Sequence, residues 1–401
     1  MAKILVIDSE RGTQVPFLRG ILTRSLQDAG MAFEEAYGQA SEIRRELGET
    51  ATITTRELRT TVLRRLRRSR RREVAQRYRA RFGATAAVLV ESEHGHQRAF
   101  SRAYHQGRLE SSGLQSEQAA ALTHEVYHRL LARRESHIDS RDLDVLTQEL
   151  LEQEQGEEAA RRYRLWTDFL HSDRPLILLI GGTAGCGKST TATAIANRLD
   201  IVRTQSTDML REVMRVMIPE RLLPVLHKSS FDAWTALPGH EEPSADPDVL
   251  LADGYRAQAQ VLALSGEAVV QRALRERVSL ILEGVHMQPA FYESLSTYAD
   301  ALVVPIMLAV LHREELRKRI RGRGWDVPER RAKRYLEHFD DIWRLQAFLL
   351  TEADRQHVAI IENNDQEHVF QAVMRIIIDL LEQPSPERAA GPTAGAVSLE
   401  S

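Results

Sequence analysis

The 401-residue chain has one cysteine, Cys186, so it can form neither an intramolecular disulfide nor a thiolate metal cluster. Long apolar runs are missing as well. None approaches the roughly 18 residues that a membrane-crossing helix needs. The run Ile4 to Ile7, behind Met1-Ala2-Lys3, is too short for a signal-peptide core. A cytoplasmic protein is the expectation, with no membrane partner. An excess of one charge sign is also absent. Lys plus Arg total 54 against 57 Asp plus Glu, a formal net charge of −3, which argues against a globally basic coat for nucleic acid. Lysine itself is scarce, with five Lys against 49 Arg. Arginine grips carboxylates and phosphates in a planar fork that lysine lacks, although genomic base composition is the plainer reason for the imbalance. What is present is ordinary for a folded chain: 43% hydrophobic and 28% charged residues. That is enough apolar material for roughly two or three domains.

The first 168 residues repeat themselves. KILVIDSERG at 3–12 corresponds to AAVLVESEHG at 86–95, an offset of 83. Phe17, Arg19, Leu26 and Gly30 recur as Phe100, Arg102, Leu109 and Gly113. At an offset of 85, ITTREL (53–58) matches IDSRDL (138–143), and Arg77-Tyr78 matches Arg162-Tyr163. The colinearity marks two copies of one module, residues 1–83 and 84–168. Each copy opens with a short β run and a polar turn at Gly12 or Gly95. Helical patterns follow: Leu22, Leu26 and Ala29 share one face, and Ala36, Ala40, Ile43 and Leu47 form a second stripe. Thr54 and Asp139 sit where N-caps belong, before helices predicted to run to Tyr78 and Tyr163.

The first copy resembles an ATP-cone, a small helical nucleotide-sensing module. The resemblance lies in Phe17, Arg19, Ile21, Leu26, Ala29, Ala36, ITTREL, Val62, Leu66 and Tyr78. That family usually places a basic pair before Asp-Gly in its first turn. Here the turn is Ser9-Glu10-Arg11-Gly12, and Ser92-Glu93-His94-Gly95 in the second copy. Nucleotide sensing, a scaffold role and homo-oligomerisation through these modules stay open. The copies also differ in charge. Residues 64–72, RRLRRSRRR, hold seven Arg, whereas their counterparts 149–157, ELLEQEQGE, hold four Glu and no basic residue. A solvated face, docking of the modules and nucleic-acid binding are the three readings of this contrast. The basic run lacks the interleaved aromatics that stack on bases.

After the polar hinge His171-Ser172-Asp173-Arg174 and Pro175, Leu176 to Ile180 form a continuous apolar run, the pattern of a strand buried on both faces. It leads into Gly182-Thr183-Ala184-Gly185-Cys186-Gly187-Lys188-Ser189, then Thr190 and a helical pattern with Thr191, Ile195 and Leu199 on one face. Strand, G-x-x-x-x-G-K-S loop and helix stand in the order of a P-loop. Backbone N–H groups of such a loop wrap nucleotide phosphates, Lys188 bridges them, and Ser189 holds Mg²⁺. Cys186 is a small filler in the loop.

Further strands are predicted at 201–205, 279–282, 301–310 and 357–361. With 176–180 they make five strands alternating with helices: an α/β fold with a doubly wound parallel sheet, over residues 169–383. Ligands in such sheets sit beyond the carboxyl ends of the strands, where Asp208, Glu283, His286 and Asn363 fall. Residues 311–335 carry Arg313, Arg317, Lys318, Arg319, Arg321 and Arg323 with Gly322 and Gly324 as pivots, the composition of a cationic lid over a phosphate site. The tail 384–401, rich in Ala, Gly, Pro and Ser, is expected to be disordered.

From about 174 to 365 the chain resembles the 2-phosphoglycerate kinase family. The markers are IGGTAGCGKST (180–190), STDMLREVMR (206–215), HKSSF (227–231), LEGVHMQP (282–289), the Arg-rich segment and RYLEHFDDIWRLQ (334–346). The resemblance implies ATP- and Mg²⁺-dependent phosphorylation of 2-phosphoglycerate to 2,3-bisphosphoglycerate. A kinase for another anionic acceptor (an inositol phosphate, sugar acid or nucleoside) and a regulatory ATPase-like nucleotide-binding protein are the alternatives. On this reading Asp208 orients or deprotonates the acceptor hydroxyl. Arg211 and Arg215, three and seven residues on, share its helix face and hold the anionic substrate. His227, Lys228, Ser229 and His286 add donors. Glu283 replaces the more usual Asp beside Mg²⁺, Arg319 and Arg323 are the lid cations, and Asn363 lies near the adenine.

Lys188→Ala is expected to abolish turnover, and Arg211→Ala chiefly to weaken the acidic substrate. Steady-state kinetics check both, and an unchanged acceptor KM in Arg211→Ala would move the substrate site elsewhere.

Overall fold

The computed structural model describes residues 4–8, 13–48, 52–69, 71–83, 88–92, 95–133, 137–238, 246–288, 291–292, 295, 300–322 and 329–383. The tail 384–401, Arg323, the turn 9–12, Glu93 and His94 lie outside these residues. The backbone separates into two compact units, residues 1–102 with 121–147, and residues 103–120 with 148–401.

In the first unit, β1 (Leu5–Asp8), β2 (Thr13–Pro16) and β3 (Thr52–Thr54) form a sheet in the order β2-β1-β3. The first pair is antiparallel and the second parallel. Helices α1 (Arg19–Gln27), α2 (Phe33–Leu47), α3 (Thr55–Arg68) and α4 (Arg72–Gly83) accompany it. The predicted stripes are buried: Leu22, Leu26, Ala36, Ala40, Ile43 and Leu47 join Val62, Leu66 and Tyr78 in one core. Thr54 caps α3 with a capping box, exchanging bonds with Glu57. Part of the Arg-rich run is answered within its own module. Arg65 pairs with Glu42 and Glu46 of α2, and Arg71 with Glu35.

The second copy has the same order of elements. Strands β4 (Leu89–Glu91), β5 (Gln97–Ala99) and β6 (His137–Asp139) pair in the order β5-β4-β6 with the same senses. Helices α5 (Arg102–Ser111), α6 (Ser116–Arg133), α7 (Ser140–Gln155) and α8 (Glu157–Leu170) follow at the equivalent places. Asp139 accepts from the Arg141 amide, 2.8 Å away, at the start of α7. Residues 103–120 and 148–168, which the repeat assigns to this copy, group with the second unit, and Trp166 and Phe169 of α8 lie in its core.

Each copy breaks the long helix predicted up to its tyrosine. In the first, Ser69 ends α3 by donating its amide to the Arg65 carbonyl and its hydroxyl to the Arg65 and Leu66 carbonyls. In the second, Gly156 at φ +89° separates α7 from α8, a conformation that costs glycine little.

The second unit carries the predicted five-stranded sheet: β7 (Leu176–Gly181), β8 (Arg203–Ser206), β9 (Leu280–Glu283), β10 (Leu302–Ala309) and β11 (Ala359–Glu362). All neighbours are parallel, in the order β11-β10-β7-β9-β8. β7 is central and buried at every position, which explains its unbroken apolar run. Strand order reverses around it, and a crevice at the carboxyl ends follows from that topology. The helices are α9 (Lys188–Arg198), α10 (Thr207–Met217), α11 (Pro247–Arg275), α12 (Arg313–Gly322), α13 (Glu329–Glu337), α14 (Phe339–Arg355) and α15 (Gln366–Glu382). Two single turns of 3-10 helix, Pro224–His227 and Ala233–Ala236, lie between α10 and α11. Among the described residues no helix is long and apolar enough to cross a membrane.

α11 approaches the second of these turns closely at Gly254. A Cβ there would overlap the Trp234 backbone and come within 2.8 Å of the Ala233 carbonyl carbon. Gly254→Ala is therefore expected to destabilise this unit by about 1–3 kcal/mol, the usual cost of overpacking. Chemical denaturation followed by tryptophan fluorescence checks it, and an unchanged midpoint would refute the contact.

Candidate active site

The loop after β7 turns through Gly182 (φ +141°), Gly185 (φ +86°) and Gly187 (φ +93°). These glycines are also crowded. A Cβ on Gly185 would lie 2.7 Å from Ile320 Cγ1 of α12, and one on Gly187 would overlap the Asn363 amide. The loop is thus clasped by the Arg-bearing helix and by the end of β11. Lys188 is buried and donates from Nζ to the Thr183 carbonyl at 2.9 Å, spanning its own loop. Ser189 donates to Glu283 Oε1 at 2.9 Å. Glu283 ends the adjacent strand β9 and is only 8% exposed, so the pairing of β7 with β9 places a carboxylate against the first turn of α9. The N-terminal turn of α9 leaves backbone N–H groups unpaired, the usual anchor for phosphate oxygens. Ala184 packs against the core and Thr190 is exposed.

Cys186 is fully buried, and its carbonyl accepts from Asn363 Nδ2 at 2.7 Å. Asn363 also donates its backbone N–H to the Ala309 carbonyl at 2.8 Å. The residue expected beside the adenine thus has its amide committed to the underside of the phosphate loop.

At the end of β8, the Ser206 hydroxyl accepts from the Asp208 amide at 3.2 Å and starts α10. Asp208 is exposed on the first turn. Arg211, one turn on, donates from Nη1 to the Lys228 carbonyl at 2.7 Å. That bond draws the 227–229 segment to the same helix. Arg215 pairs with Glu212 at 2.7 Å. The Nε–H groups of Arg211 and Arg215 are buried and lack a hydrogen-bond partner among the described residues. His227 donates from Nε2 to the Ile218 carbonyl at 2.9 Å, and Lys228 lies 3.8 Å from Glu220. The Ser229 carbonyl accepts from the Asp232 amide at 3.1 Å. Asp232 in turn binds Arg334 of α13 at 2.7 Å, linking this segment to the basic region after β10.

On α12, Leu316 and Ile320 face the phosphate loop. Arg319 is tied to Glu315 at 3.0 Å, and its hydrogen bond holds the Glu315 carboxyl below the ordinary carboxylate range. Arg323, the other expected lid cation, lies outside the described residues.

His286 was expected to donate to substrate. It is buried, with Nδ1 3.0 Å from Thr207 Oγ1 and Nε2 2.9 Å from Gln258 Oε1, so both ring nitrogens are engaged within the protein. Burial pushes its pKa down to about 3. Asp208 opposes the shift, and Arg211 and Lys188 add to it. Sequence alone does not mark Thr207 or Gln258. The available signal was weak: one glutamine on an otherwise apolar face of α11, beside Tyr255, Ala259 and Leu262.

No family model matches the chain. Curated relatives do. A 2-phosphoglycerate kinase from Pyrococcus furiosus is 33% identical over 301 residues, covering 71% of this chain and 95% of that protein. One from Methanopyrus kandleri is 32% identical over 312 residues, covering 77% and 92%. Among solved structures, a gluconokinase from Sinorhizobium meliloti 1021 is 15% identical with a TM-score of 0.28, covering 52% of this chain and 91% of that one. That similarity is too low to bear on the site.

Because Asn363 braces the loop, Asn363→Ala is expected to raise the KM for ATP about fivefold or more. This is the scale of one lost buried hydrogen bond. The acceptor KM should stay constant. Initial-rate kinetics with each substrate varied in turn read both, and equal effects on the two would contradict a loop-bracing role.

Proposed function

This chain belongs to the 2-phosphoglycerate kinase family, and from that premise we propose that it transfers the γ-phosphoryl group of ATP to the free hydroxyl of 2-phosphoglycerate, yielding 2,3-bisphosphoglycerate and ADP with Mg²⁺. It is a phosphotransferase by its relatives. The observation that carries the acceptor class is the pair of buried Nε–H groups of Arg211 and Arg215, which have no hydrogen-bond partner among the described residues, on the helix that presents Asp208. A buried guanidinium edge without a partner is costly, and an anionic ligand offsets that cost.

The residues fit Mg²⁺. A hydroxyl and a carboxylate, Ser189 in the first turn of α9 and Glu283 at the end of β9, stand 2.9 Å apart, and both are the hard oxygen ligands that this ion takes. Bound there, Mg²⁺ would offset negative charge on the phosphates. The loop amides of residues 182–188 orient the phosphate chain. Lys188 exchanges the Thr183 carbonyl for a phosphate oxygen. Arg211 and Arg215 hold the carboxylate and phosphate of the acceptor, with Lys228 and Ser229 beside them. The Asp208 carboxylate takes the proton of the acceptor hydroxyl as the new P–O bond forms, while the bond from the γ-phosphorus to the bridging oxygen breaks and ADP leaves. Arg319 supplies positive charge from α12 against the equatorial oxygens, and Arg323 is assigned the same role.

Purified protein given labelled ATP, Mg²⁺ and a panel of acceptors tests the proposal. 2-Phosphoglycerate is expected to be labelled at least about tenfold faster than an inositol phosphate, a sugar acid or a nucleoside, a discrimination of about 1.4 kcal/mol. Transfer to 2-phosphoglycerate at background would reject it.

A further inference from the structure

Six residues close a ring of hydrogen bonds beneath the acceptor site. Gln258 is fully buried on α11, and its Nε2 donates to the carbonyls of Val225 at 2.5 Å and Lys228 at 3.0 Å. Two accepting carbonyls fix the orientation of the amide, so Oε1 must face His286. An amide oxygen only accepts, hence His286 Nε2 carries the proton and donates, at 2.9 Å. Burial keeps the imidazole neutral, so Nδ1 holds a lone pair and accepts from the Thr207 hydroxyl at 3.0 Å. Thr207 and Arg211 lie one turn apart on α10, and Arg211 donates to the same Lys228 carbonyl that Gln258 reaches. The chain of donors thus runs from α10 through His286 and Gln258 to the 225–228 segment, and Arg211 returns it to α10.

We propose that Gln258 and His286 are positioning residues: they fix the 225–228 segment against α10, so that Asp208 and the acceptor-binding groups keep one spacing. The inference rests on the proposed acceptor site. Each member has one donor–acceptor sense, and no exchange of roles satisfies all of them. Neither Gln258 nor His286 has a free polar atom for substrate. Gly284 belongs to the same arrangement, because a Cβ there would overlap the Thr207 side chain. Among the described residues no hydrogen bond joins the ring to the nucleotide loop. Its loss should therefore register on the acceptor rather than on ATP.

The test uses the full-length protein with Gln258→Leu, which cuts the ring at three bonds, and Thr207→Val, which removes one hydroxyl while keeping the shape. Circular dichroism establishes that each variant is folded. If Gln258→Leu is unfolded, Thr207→Val carries the test. The acceptor KM is expected to rise about tenfold and the ATP KM to change by less than about twofold, as for a buried hydrogen-bond loss confined to one subsite. Hydrogen–deuterium exchange is expected to speed up at residues 225–229. A folded variant with unchanged acceptor KM, or with both KM values raised together, overturns the proposal. If the wild-type protein transfers nothing to 2-phosphoglycerate, the functional reading fails separately. Exchange at 225–229 then decides the ring alone: faster exchange supports it and unchanged exchange overturns it.

Discussion

The arrangement of the site depends on the burial of β7. A strand buried at every position has no water for its backbone groups, so both its edges need hydrogen-bonding neighbours, and the parallel strands β9 and β10 supply them. Once strand order reverses around β7, the loop leaving it opens at the carboxyl edge of the sheet. The ends of β8 and β9 then lie beside it, in register: Ser206 opposite Glu283, and Glu283 opposite Ile180. A hydroxyl at residue 189 and a carboxylate at residue 283, 94 positions apart in the chain, come within hydrogen-bond distance for this reason.

The phosphate loop is held from two directions that its own sequence does not mention. Asn363 binds the Cys186 carbonyl from the end of β11, and Ile320 of α12 presses on Gly185. Glycines in this motif are commonly explained by close approach to phosphate. Here Gly185 and Gly187 are also required by the close approach of Ile320 and Asn363. The same helix carries Arg319, so the element that packs on the loop also bears a cation beside it. An apolar face, Leu316 and Ile320, sets α12 on the loop, and its cationic residues lie on the rest of the helix surface.

The two N-terminal copies show a different balance. Their helices and strands recur in the same order, yet their charged surfaces have diverged. Arg65 and Arg71 find acidic partners on α2 of their own module, while the aligned stretch of the second copy bears exposed Glu149, Glu152 and Glu154. Burial constrains the stripes that make the fold and leaves solvent-facing positions free to vary, so the repeat is legible in the apolar residues and in the caps at Thr54 and Asp139.

Local order and periodicity determined much by themselves. The five strands, the P-loop, the helix caps and the repeat are encoded by neighbours in sequence, because strand burial, glycine turns and capping act over a few residues. Tertiary structure alone decided which polar groups meet. The place of Asn363 after a strand suggests a nucleotide contact, and its amide points to the loop. The place of His286 just beyond β9 suggests a substrate donor, and the fold encloses it between Thr207 and Gln258. The helix breaks at Ser69 and Gly156 were also missed, because the apolar spacing continues across them. A side chain's partner is set by the pairing of strands and the docking of helices distant in sequence. A polar residue at a strand end therefore announces that a site is near, and only the packed fold shows whether it faces the ligand or holds the groups that do.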